Sequence, residues 1–525
     1  MLVNRRWWLL ALIVLLALAL RLINLGVRNL WYDEAFAVLF SEKGLDAMVY
    51  GTLTPVTGGA ADIHPLLYYT ALNIWMAIFG QSPFYVRLLS VVLGVATVAV
   101  VFMLADELFG NKTALLAAFI TAIAPFHVQY SQETRMYTML GLLLTVASWC
   151  FVKGWRAGNN PEQNLLLRLR YWLAFGVLAG LAMYTQQLAA FYLVALGLIP
   201  FLARRPVQIA NFLIGTVVAV IVYLPWLVNL PGQFQKVRSY YWLEPPTIGT
   251  PFLTIRSFMS VNLDFPAPAS TIALLGAVFM IVFFGVQFVM WIQNPRNRKE
   301  RKVLVFVLWL AVMPPVLMWL VSQIQPVYLE RSLLPSAVIS YIVLAWFFTR
   351  SGIPRPIAVA LGGVGLVLVV IGLFYQYTWA TFPNSPFQSA TDFIDARWKD
   401  GDVIVHMNKL STLPMIYYER SLPQRFIGDR PGSGEDTLAL PTQETLGIFA
   451  DSCVQAASRD GQRIWWVVFD FAEKQYAAAK RPEMEQSLSW LNEHFTPEQK
   501  QQFNDLDVVL YTNPHGDLSA ECQTS

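Results

Sequence analysis

Residues 29–40 read NLWYDEAFAVLF, and this stretch places two adjacent carboxylates, Asp33 and Glu34, inside an aromatic and aliphatic run. Neighbouring residues on a helix point about 100° apart, so the two carboxylates are expected to have different surroundings and different roles. In a functional interpretation, one carboxylate faces a cavity while the other makes a structural bond or contacts a second substrate. In a structural interpretation, Asp33 caps a helix that begins near Ala35.

The composition predicts a membrane protein. Of the 525 residues, 56% are hydrophobic and only 14% are charged, and the mean hydropathy is +0.48. Soluble proteins contain about 25% charged residues. The net charge of +3 indicates little about partners, and no nucleic-acid partner is expected.

The apolar residues are grouped into segments that could cross a bilayer, which takes about 20 residues per helix. We predict about eleven transmembrane helices, at residues 7–24, 84–105, 113–130, 136–154, 171–187, 189–203, 207–230, 270–292, 303–321, 333–349 and 356–377. The chain is therefore expected to be a polytopic α-helical protein.

Lys and Arg residues suggest the orientation, because they are enriched on the cytoplasmic side of membranes. Arg5 and Arg6 precede the first span, and the run NPRNRKERK occupies residues 294–302 between two later spans. We expect a multi-pass protein of the cytoplasmic (plasma) membrane, with its N-terminus inside. An odd number of spans then puts the C-terminal domain outside, and the first span is read as a retained signal anchor.

The sequence changes character near residue 381, which divides a transmembrane domain (1–380) from an extracytoplasmic α/β domain (381–525). Residues after this point alternate between strand-like and helix-like stretches, a pattern typical of α/β folds. The predicted strands cover residues 402–408, 463–471 and 507–513, and a predicted helix covers 474–495.

Three cysteines are present. Cys150 falls in an apolar span and is expected to pack there, whereas Cys453 and Cys522 could pair if their domain faces an oxidising compartment. The sequence has no CxxC or Cys/His cluster, so no metal is expected to be required, although a divalent cation remains open.

The densest polar cluster near a span is PFHVQYSQETRMYTML, at residues 125–140. Arg135 precedes the next span, where the helix N-terminus attracts anions and a guanidinium can hold a phosphate with two donors. Alternatively, Arg135 pairs with Glu133 or an aspartate and only holds the loop.

Two further motifs contribute ionisable residues. His64 lies in ADIHPLLYY (61–69), either as a site residue or as part of a plain loop-to-helix entry. Arg331 lies in PVYLERSLLP (326–335), where it could be a second phosphate ligand, pair with Glu330, or reach the lipid headgroups.

Together, the motifs at 31–36, 64–69, 125–140 and 330–335 resemble those of GT-C membrane glycosyltransferases that use polyprenyl-phosphate sugars. Within that group, the chain is similar to bacterial relatives of protein O-mannosyltransferases and of lipid A aminoarabinose transferases. The resemblance covers residues 1–380 and implies a GT-C-like fold with interfacial helices on the outer face.

The resemblance also implies a reaction in cell-envelope glycosylation. A sugar would pass from a polyprenyl-phosphate donor to a lipid, glycan or protein acceptor on the outer face, among membrane lipids. Asp33 would be the catalytic base, and Arg135 and Arg331 would bind the donor phosphate. The remaining candidate substrate-binding residues are Glu34, His64, His127, Tyr130, Gln132, Glu133 and Tyr137.

Attack of an acceptor hydroxyl on the anomeric carbon needs a base, whereas a phosphate leaving group needs charge stabilisation more than a proton. Direct displacement would invert the anomeric configuration. The main alternative is a membrane transporter or flippase, which predicts charged groups at the centres of spans. A scaffold acting through residues 381–525 and a ligase for diphosphate-linked glycans are further alternatives.

Overall fold

The computed structural model describes residues 2–56, 63–158, 165–240, 243–293, 298–429, 437–515 and 522. The described residues up to Thr378 form α-helices and one short 3-10 helix, Glu330–Leu333. The α-helices α1 to α17 are Leu2–Leu22, Tyr32–Ser41, Leu45–Leu53, Leu67–Phe79, Pro83–Phe109, Asn111–Ile123, Pro125–Ser131, Tyr137–Gly158, Leu165–Thr185, Ala189–Leu202, Pro206–Leu227, Leu230–Tyr240, Thr250–Met259, Ala269–Gln293, Arg298–Ser322, Leu334–Arg350 and Arg355–Thr378.

The protein is a multi-pass membrane protein. Within the described residues, seven helices are long and apolar enough to cross a membrane, or eight if the bent pair α6–α7 counts as one span. The other three predicted spans fall on α1, α9 and α10, and α10 has only 14 residues. The number eleven therefore stays a prediction.

The break between α6 and α7 occurs at a proline. Pro125 cannot continue the hydrogen-bond ladder of α6, and it biases Ala124 towards an extended conformation. Ala124 accordingly has ψ near 117°, and the two helices are bent by 59°. The bend redirects the two turns of α7, which carry Gln129 and Tyr130 to the site described below.

The C-terminal part contains a mixed sheet. Its strands β1 to β6 are Asp402–His406, Gln424–Ile427, Ala450–Asp451, Arg463–Phe469, Thr496–Phe503 and Leu506–Thr512. Their order is β3-β2-β1-β4-β6-β5. Strands β1 to β4 are parallel, whereas β6 runs antiparallel to both β4 and β5. The helices α18 to α23 are Phe387–Asp395, Lys409–Tyr418, Leu440–Leu446, Val454–Ser458, Ala472–Ala478 and Glu483–His494.

The predicted strands correspond to β1, β4 and β6, which are largely buried. Strand β5 was not predicted because its sequence, TPEQKQQF, is polar and mostly exposed. The predicted helix at 474–495 is wrong as a single element. It is two helices, α22 and α23, interrupted at residues 479–482, where Lys480 has a positive φ and Pro482 follows.

Cys453 and Cys522 form a disulfide that joins residues 69 positions apart. Disulfides persist in oxidising compartments, which agrees with the expectation that this part of the chain is extracytoplasmic. Cys150 is buried, as expected for a packing residue.

The C-terminal part packs on the helical part through α19 and α2. The backbone N–H of Leu30 donates to the Tyr418 hydroxyl at 2.9 Å. Arg420 also forms an ion pair with Glu42 at 2.9 Å. These contacts bring α19 over the stretch that carries Asp33 and Glu34. The division at residue 381 stays a prediction.

Candidate active site

A polar cavity of about 740 Å³ opens where the helical part meets the C-terminal part. We call it the polar cavity. Its lining includes eight of the ten site residues predicted from the sequence: Asp33, Glu34, His64, Tyr130, Gln132, Glu133, Arg135 and Arg331. All four predicted motifs therefore contribute residues to one site, although they are distant in sequence.

Asp33 is the centre of an ion cluster in this cavity. It lies in the first turn of α2. Its Oδ2 accepts from Arg331 Nη1 at 2.7 Å and lies 3.8 Å from Arg135 Nε. Arg135 also donates to the Asp33 carbonyl and to the Tyr69 hydroxyl, both at 3.3 Å. Both predicted phosphate ligands thus converge on one carboxylate.

Arg331 is additionally held by two aromatic rings. Its guanidinium carbon lies 5.6 Å from the centre of the Trp31 ring and 5.3 Å from that of Tyr137, within the range of a cation–π contact. Arg331 Nε is buried and has no hydrogen-bond partner among the described residues. Glu330 accepts from Thr254 Oγ1 at 3.0 Å, and no ion pair between Glu330 and Arg331 is found in the described part.

The ionisation of Asp33 follows from these neighbours. Burial alone would raise its pKa, but the charges of Arg135, Arg331 and His64 oppose that effect and hold the pKa of Asp33 below its ordinary value. Opposite charges close to a carboxyl favour its ionised form. Asp33 is therefore a carboxylate over the whole neutral range.

Glu34 makes a structural bond instead of facing the cavity freely. Its two oxygens accept from Arg87 Nε at 2.8 Å and Arg87 Nη2 at 2.6 Å, and both side chains are buried. The Thr134 backbone N–H also donates to Glu34 Oε1 at 2.8 Å. Glu34 is thus fully engaged within the protein, and the sequence-based assignment of substrate binding gains no support from this geometry.

Glu133, in contrast to Glu34, has a carboxylate oxygen with no hydrogen-bond partner in the described residues. This oxygen is Oε1, and the side chain of Glu133 is only 9% exposed. Burial, opposed by Arg331 and reinforced by Glu34 and Asp33, raises the pKa of Glu133 to about 7. The cavity therefore holds two carboxyls of very different character, Asp33 and Glu133.

Two predicted residues, His127 and Tyr137, are absent from the cavity lining. His127 Nδ1 lies 2.6 Å from Arg21 Nη2, and Ser131, one turn later on α7, bonds the same arginine. This face of α7 therefore contacts α1. Tyr137 contributes indirectly, because its ring supports Arg331.

Gln132 and Tyr130 line the cavity but are also tied to other segments. Gln132 Nε2 donates to the carbonyls of Arg21 and Ile23 at the end of α1, and its Oε1 accepts from Gln376 at 3.0 Å. The Tyr130 hydroxyl accepts from Asn262 Nδ2 at 2.9 Å. Both side chains therefore help to fix the shape of the wall.

Sequence reasoning missed several charged residues of the site. Arg28 lines the cavity and donates to the carbonyls of Gln376 and Gln132 at 3.0 and 3.3 Å. Arg87, the partner of Glu34, lies inside an apolar helix. Its charge in the first turns of α5, an otherwise apolar helix, was the signal available in the sequence.

The C-terminal part completes the wall of the polar cavity. Lys409 and Leu410 on α19 and Gln475 on α22 belong to the lining. Lys409 Nζ lies 5.7 Å from the centre of the Tyr32 ring. The cavity is therefore built by both parts of the chain.

A second cavity, of about 520 Å³, is almost entirely apolar and lies between α6, α7, α13, α14, α16 and α17. We call it the apolar cavity. Pro125 and Phe258 line it, whereas Tyr130 and Asn262, a short distance further along the same segments, line the polar cavity. Pro125 and Tyr130 are five residues apart on α7, a rise of about 7.5 Å, so the two cavities are close neighbours.

In the described part of the chain, no group of three or more His, Cys, Asp or Glu side chains is arranged to hold a metal ion.

Comparisons with known proteins agree with the resemblance seen in the sequence. A family model for dolichyl-phosphate-mannose-protein mannosyltransferases matches residues 63–228. An undecaprenyl phosphate-alpha-4-amino-4-deoxy-L-arabinose arabinosyl transferase of Pseudomonas fluorescens is 27% identical, over 71% of this chain and 66% of its own length. A second such transferase of that organism is 26% identical, over 55% of this chain and 49% of its own length. The chain thus spans 66% or less of these relatives.

Two solved structures share the fold. ArnT from Cupriavidus metallidurans bound to undecaprenyl phosphate aligns with a TM-score of 0.60 at 13% identity, covering 95% of this chain and 97% of that one. The Archaeoglobus fulgidus oligosaccharyltransferase with Zn and sulfate aligns with a TM-score of 0.54 at 14% identity, covering 96% and 73%. These structures confirm the predicted fold class, and the family model and the Pseudomonas fluorescens transferases support the resemblance to GT-C polyprenyl-phosphate-sugar glycosyltransferases.

Proposed function

We propose that this protein is a glycosyltransferase that moves a sugar from a polyprenyl-phosphate donor to an acceptor on the outer face of the cytoplasmic membrane. The observation that carries the proposal is the convergence of Arg135 and Arg331 on Asp33 in the polar cavity. The related transferases from Pseudomonas fluorescens are named for an undecaprenyl phosphate-linked sugar, and the ArnT structure contains undecaprenyl phosphate.

The two arginines would bind the donor phosphate. Arg331 Nε lacks an acceptor among the described residues and is buried, so a phosphate oxygen would satisfy a costly orphan donor. As the bond between the anomeric carbon and the phosphate oxygen breaks, negative charge grows on the leaving phosphate. Fixed guanidinium groups stabilise such charge most strongly in a cavity that excludes water.

The apolar cavity would hold the first part of the polyprenyl chain. It lies beside the polar cavity and is lined by side chains such as Phe119, Ile123 and Leu361. A lipid-borne phosphate needs both environments at once, because its headgroup is charged and its tail is apolar. The juxtaposition of the two cavities supports a lipid-linked donor over a soluble nucleotide sugar.

Asp33 is the carboxylate that contacts the proposed phosphate site, and the base role that the resemblance implies for it stays a prediction. It contacts both phosphate-binding arginines, so its charge lies at the reacting centre. Direct attack of the acceptor on the anomeric carbon would invert its configuration. His64 and Tyr130, which line the same cavity, are proposed substrate contacts.

The orientation and the acceptor are also proposals. The N-terminus is assigned to the cytoplasm and residues 381–525 to the outside, in agreement with the disulfide between Cys453 and Cys522. Lys409 and Gln475 would meet the acceptor, a lipid, glycan or protein, because they line the cavity from the C-terminal part. The arginines neutralise the phosphate, so no metal is assigned to the reaction.

A transporter or flippase is not favoured. Such a protein needs ionisable groups that change partners within its spans. Arg21 is buried near the end of α1, but it is fixed by the carbonyls of Ala17 and Ala122 at 2.8 and 2.9 Å. These contacts indicate a structural role for Arg21 rather than a role in transport.

The decisive experiment uses purified protein in liposomes with candidate lipid, glycan and protein acceptors and a panel of undecaprenyl-phosphate sugars, including 4-amino-4-deoxy-L-arabinose and mannose. The expected result is release of undecaprenyl phosphate together with a glycosylated product, detected by mass spectrometry. Movement of intact donor across the liposome membrane with no cleavage would support a flippase and contradict the proposal.

A further inference from the structure

Asp33 and Glu133 share the polar cavity, but their side-chain oxygens have different surroundings. Asp33 Oδ2 bonds Arg331 at 2.7 Å and faces Arg135. Glu133 is more than nine-tenths buried, lines the cavity, and its Oε1 makes no hydrogen bond within the described residues. A buried carboxylate oxygen without a hydrogen-bond donor is costly, and a bound acceptor hydroxyl would supply the missing donor.

We propose that Glu133, rather than Asp33, takes up the proton of the acceptor during sugar transfer. This inference rests on the glycosyltransferase function proposed above and assigns its proton acceptor. Asp33 then has a different task, which is to hold Arg135 and Arg331 together at the position of the donor phosphate.

The proposed step balances. The acceptor oxygen forms a bond to the anomeric carbon, and its proton passes to the carboxylate of Glu133. The bond between the anomeric carbon and the phosphate oxygen breaks, and its electron pair leaves with undecaprenyl phosphate. The lipid phosphate gains one negative charge and Glu133 loses one, so the total charge is unchanged.

The surroundings of Glu133 suit this role. A general base works best when its pKa lies close to the working pH, and the pKa of Glu133 is raised to about 7 by burial and by neighbouring carboxylates. The pKa of Asp33 is held below its ordinary value by two arginines, which makes it a weak proton acceptor. The charged or titratable groups that act on Glu133 are Arg28, Asp33, Glu34, Tyr68, Tyr130, Arg135, Tyr137 and Arg331.

The backbone around Glu133 is fixed from both sides. The next residue, Thr134, donates its N–H to Glu34 Oε1 at 2.8 Å, and Glu34 is itself anchored by Arg87. The N–H of Arg135 donates to the Glu133 carbonyl at 2.8 Å, which closes a tight turn. Glu133 is therefore presented to the cavity by a rigid support, as a catalytic group requires.

The first arm of the test measures binding of undecaprenyl phosphate between pH 5 and 9 in wild type and Glu133→Gln. Protonated Glu133 carries no charge and tolerates the lipid phosphate, whereas ionised Glu133 repels it. Wild-type affinity should therefore fall as the pH rises through about 7. Glu133→Gln should not show the part of this fall that comes from ionisation of Glu133. Titration of the lipid phosphate itself affects both proteins equally, so it does not account for a difference between them.

The second arm measures turnover of whichever undecaprenyl-phosphate sugar the wild type cleaves. Wild-type turnover should fall tenfold per pH unit below about 7, because the base must be ionised. Glu133→Gln should lose about 10²- to 10⁴-fold in turnover, the usual contribution of a general base, and should lose the acidic limb. Glu133→Asp should recover part of the turnover.

The controls separate folding, function and assignment. Thermal unfolding and gel filtration check that the variants fold, and Glu107→Gln, which removes a carboxylate paired with Lys153 on the opposite side of the bundle, should leave both readouts unchanged. The inference would be overturned, but not the proposed function, if Asp33→Asn lost the acidic limb of the turnover–pH profile and Glu133→Gln kept it. If the wild-type protein had no affinity for undecaprenyl phosphate, both the inference and the proposed function would be overturned.

Discussion

Arg331 Nη1 lies 2.7 Å from Asp33 Oδ2, although 298 positions separate the two residues in the sequence. With Arg135 on the other side, the carboxylate occupies the position between two guanidinium groups that an anionic headgroup would otherwise take. The two guanidinium groups are thus paired within the protein. A donor phosphate would share these two guanidinium groups with Asp33, so the carboxylate both positions the arginines and competes with the phosphate for their charge.

Loss of either arginine should weaken binding of undecaprenyl phosphate. A hydrogen bond to a charged group is worth about 1.5–3 kcal/mol, so Arg331→Gln or Arg135→Gln should lower the affinity about 10- to 100-fold. Fluorescence titration in detergent would measure the effect. Arg425→Gln provides a matched control, because Arg425 pairs with the exposed Asp460 away from the cavity. Equal affinity in all three variants would contradict the phosphate-binding role.

Replacement of Asp33 should separate binding from catalysis. In Asp33→Asn the arginines lose their internal anion, so undecaprenyl phosphate should bind several-fold more tightly, while turnover falls by about 100-fold or more because the arginines are less well fixed. Isothermal titration and a turnover assay on one protein preparation test both halves. Weaker binding in the variant would show that Asp33 does not compete with phosphate.

The Glu34–Arg87 pair should be a major determinant of stability. Both side chains are buried, and removal of one partner leaves an uncompensated charge that costs about 3–5 kcal/mol. Glu34→Gln and Arg87→Met should therefore each lower the unfolding temperature in detergent. The double variant should lose less than the sum of the two single losses. Additive losses would indicate that the two residues act independently.

The disulfide offers a test of orientation. If residues 381–525 are extracytoplasmic, Cys453 and Cys522 should be unreactive towards a membrane-impermeant maleimide in intact cells until a reductant is added, while buried Cys150 stays unlabelled. Cys453→Ser should also destabilise the C-terminal part by roughly 2–4 kcal/mol. Labelling that requires disruption of the membrane would contradict the outside assignment.

Much of the helical part could be predicted because apolar length decides where spans lie. The predicted segment at 113–130, however, is two helices bent by 59°, because Pro125 interrupts the backbone hydrogen bonds of α6 and is the first residue of α7. Hydropathy does not register such a bend. The polar strand β5 was missed for a related reason, because an exposed edge strand carries no apolar pattern.

At the site, the sequence identified which residues meet but not always what they contact. Asp33, Arg135 and Arg331 were recognised because charges next to spans are rare and need a reason. Arg87 was overlooked because it is the fifth residue of a 27-residue apolar helix, and its partner, Glu34, is 53 positions away. The position of His127, towards Arg21 and outside the cavity lining, could not be predicted because the side of α7 that it occupies depends on tertiary packing.

The participation of Lys409 and Gln475 in the wall of the polar cavity has a consequence for the timing of synthesis. Both residues leave the ribosome after the last apolar helix, α17. During insertion the polyprenyl-phosphate headgroup would meet only an unfinished pocket. The pocket acquires its full wall only when the residues after α17 have been translated and have folded onto α2, so completion of the chain and formation of the proposed site are linked.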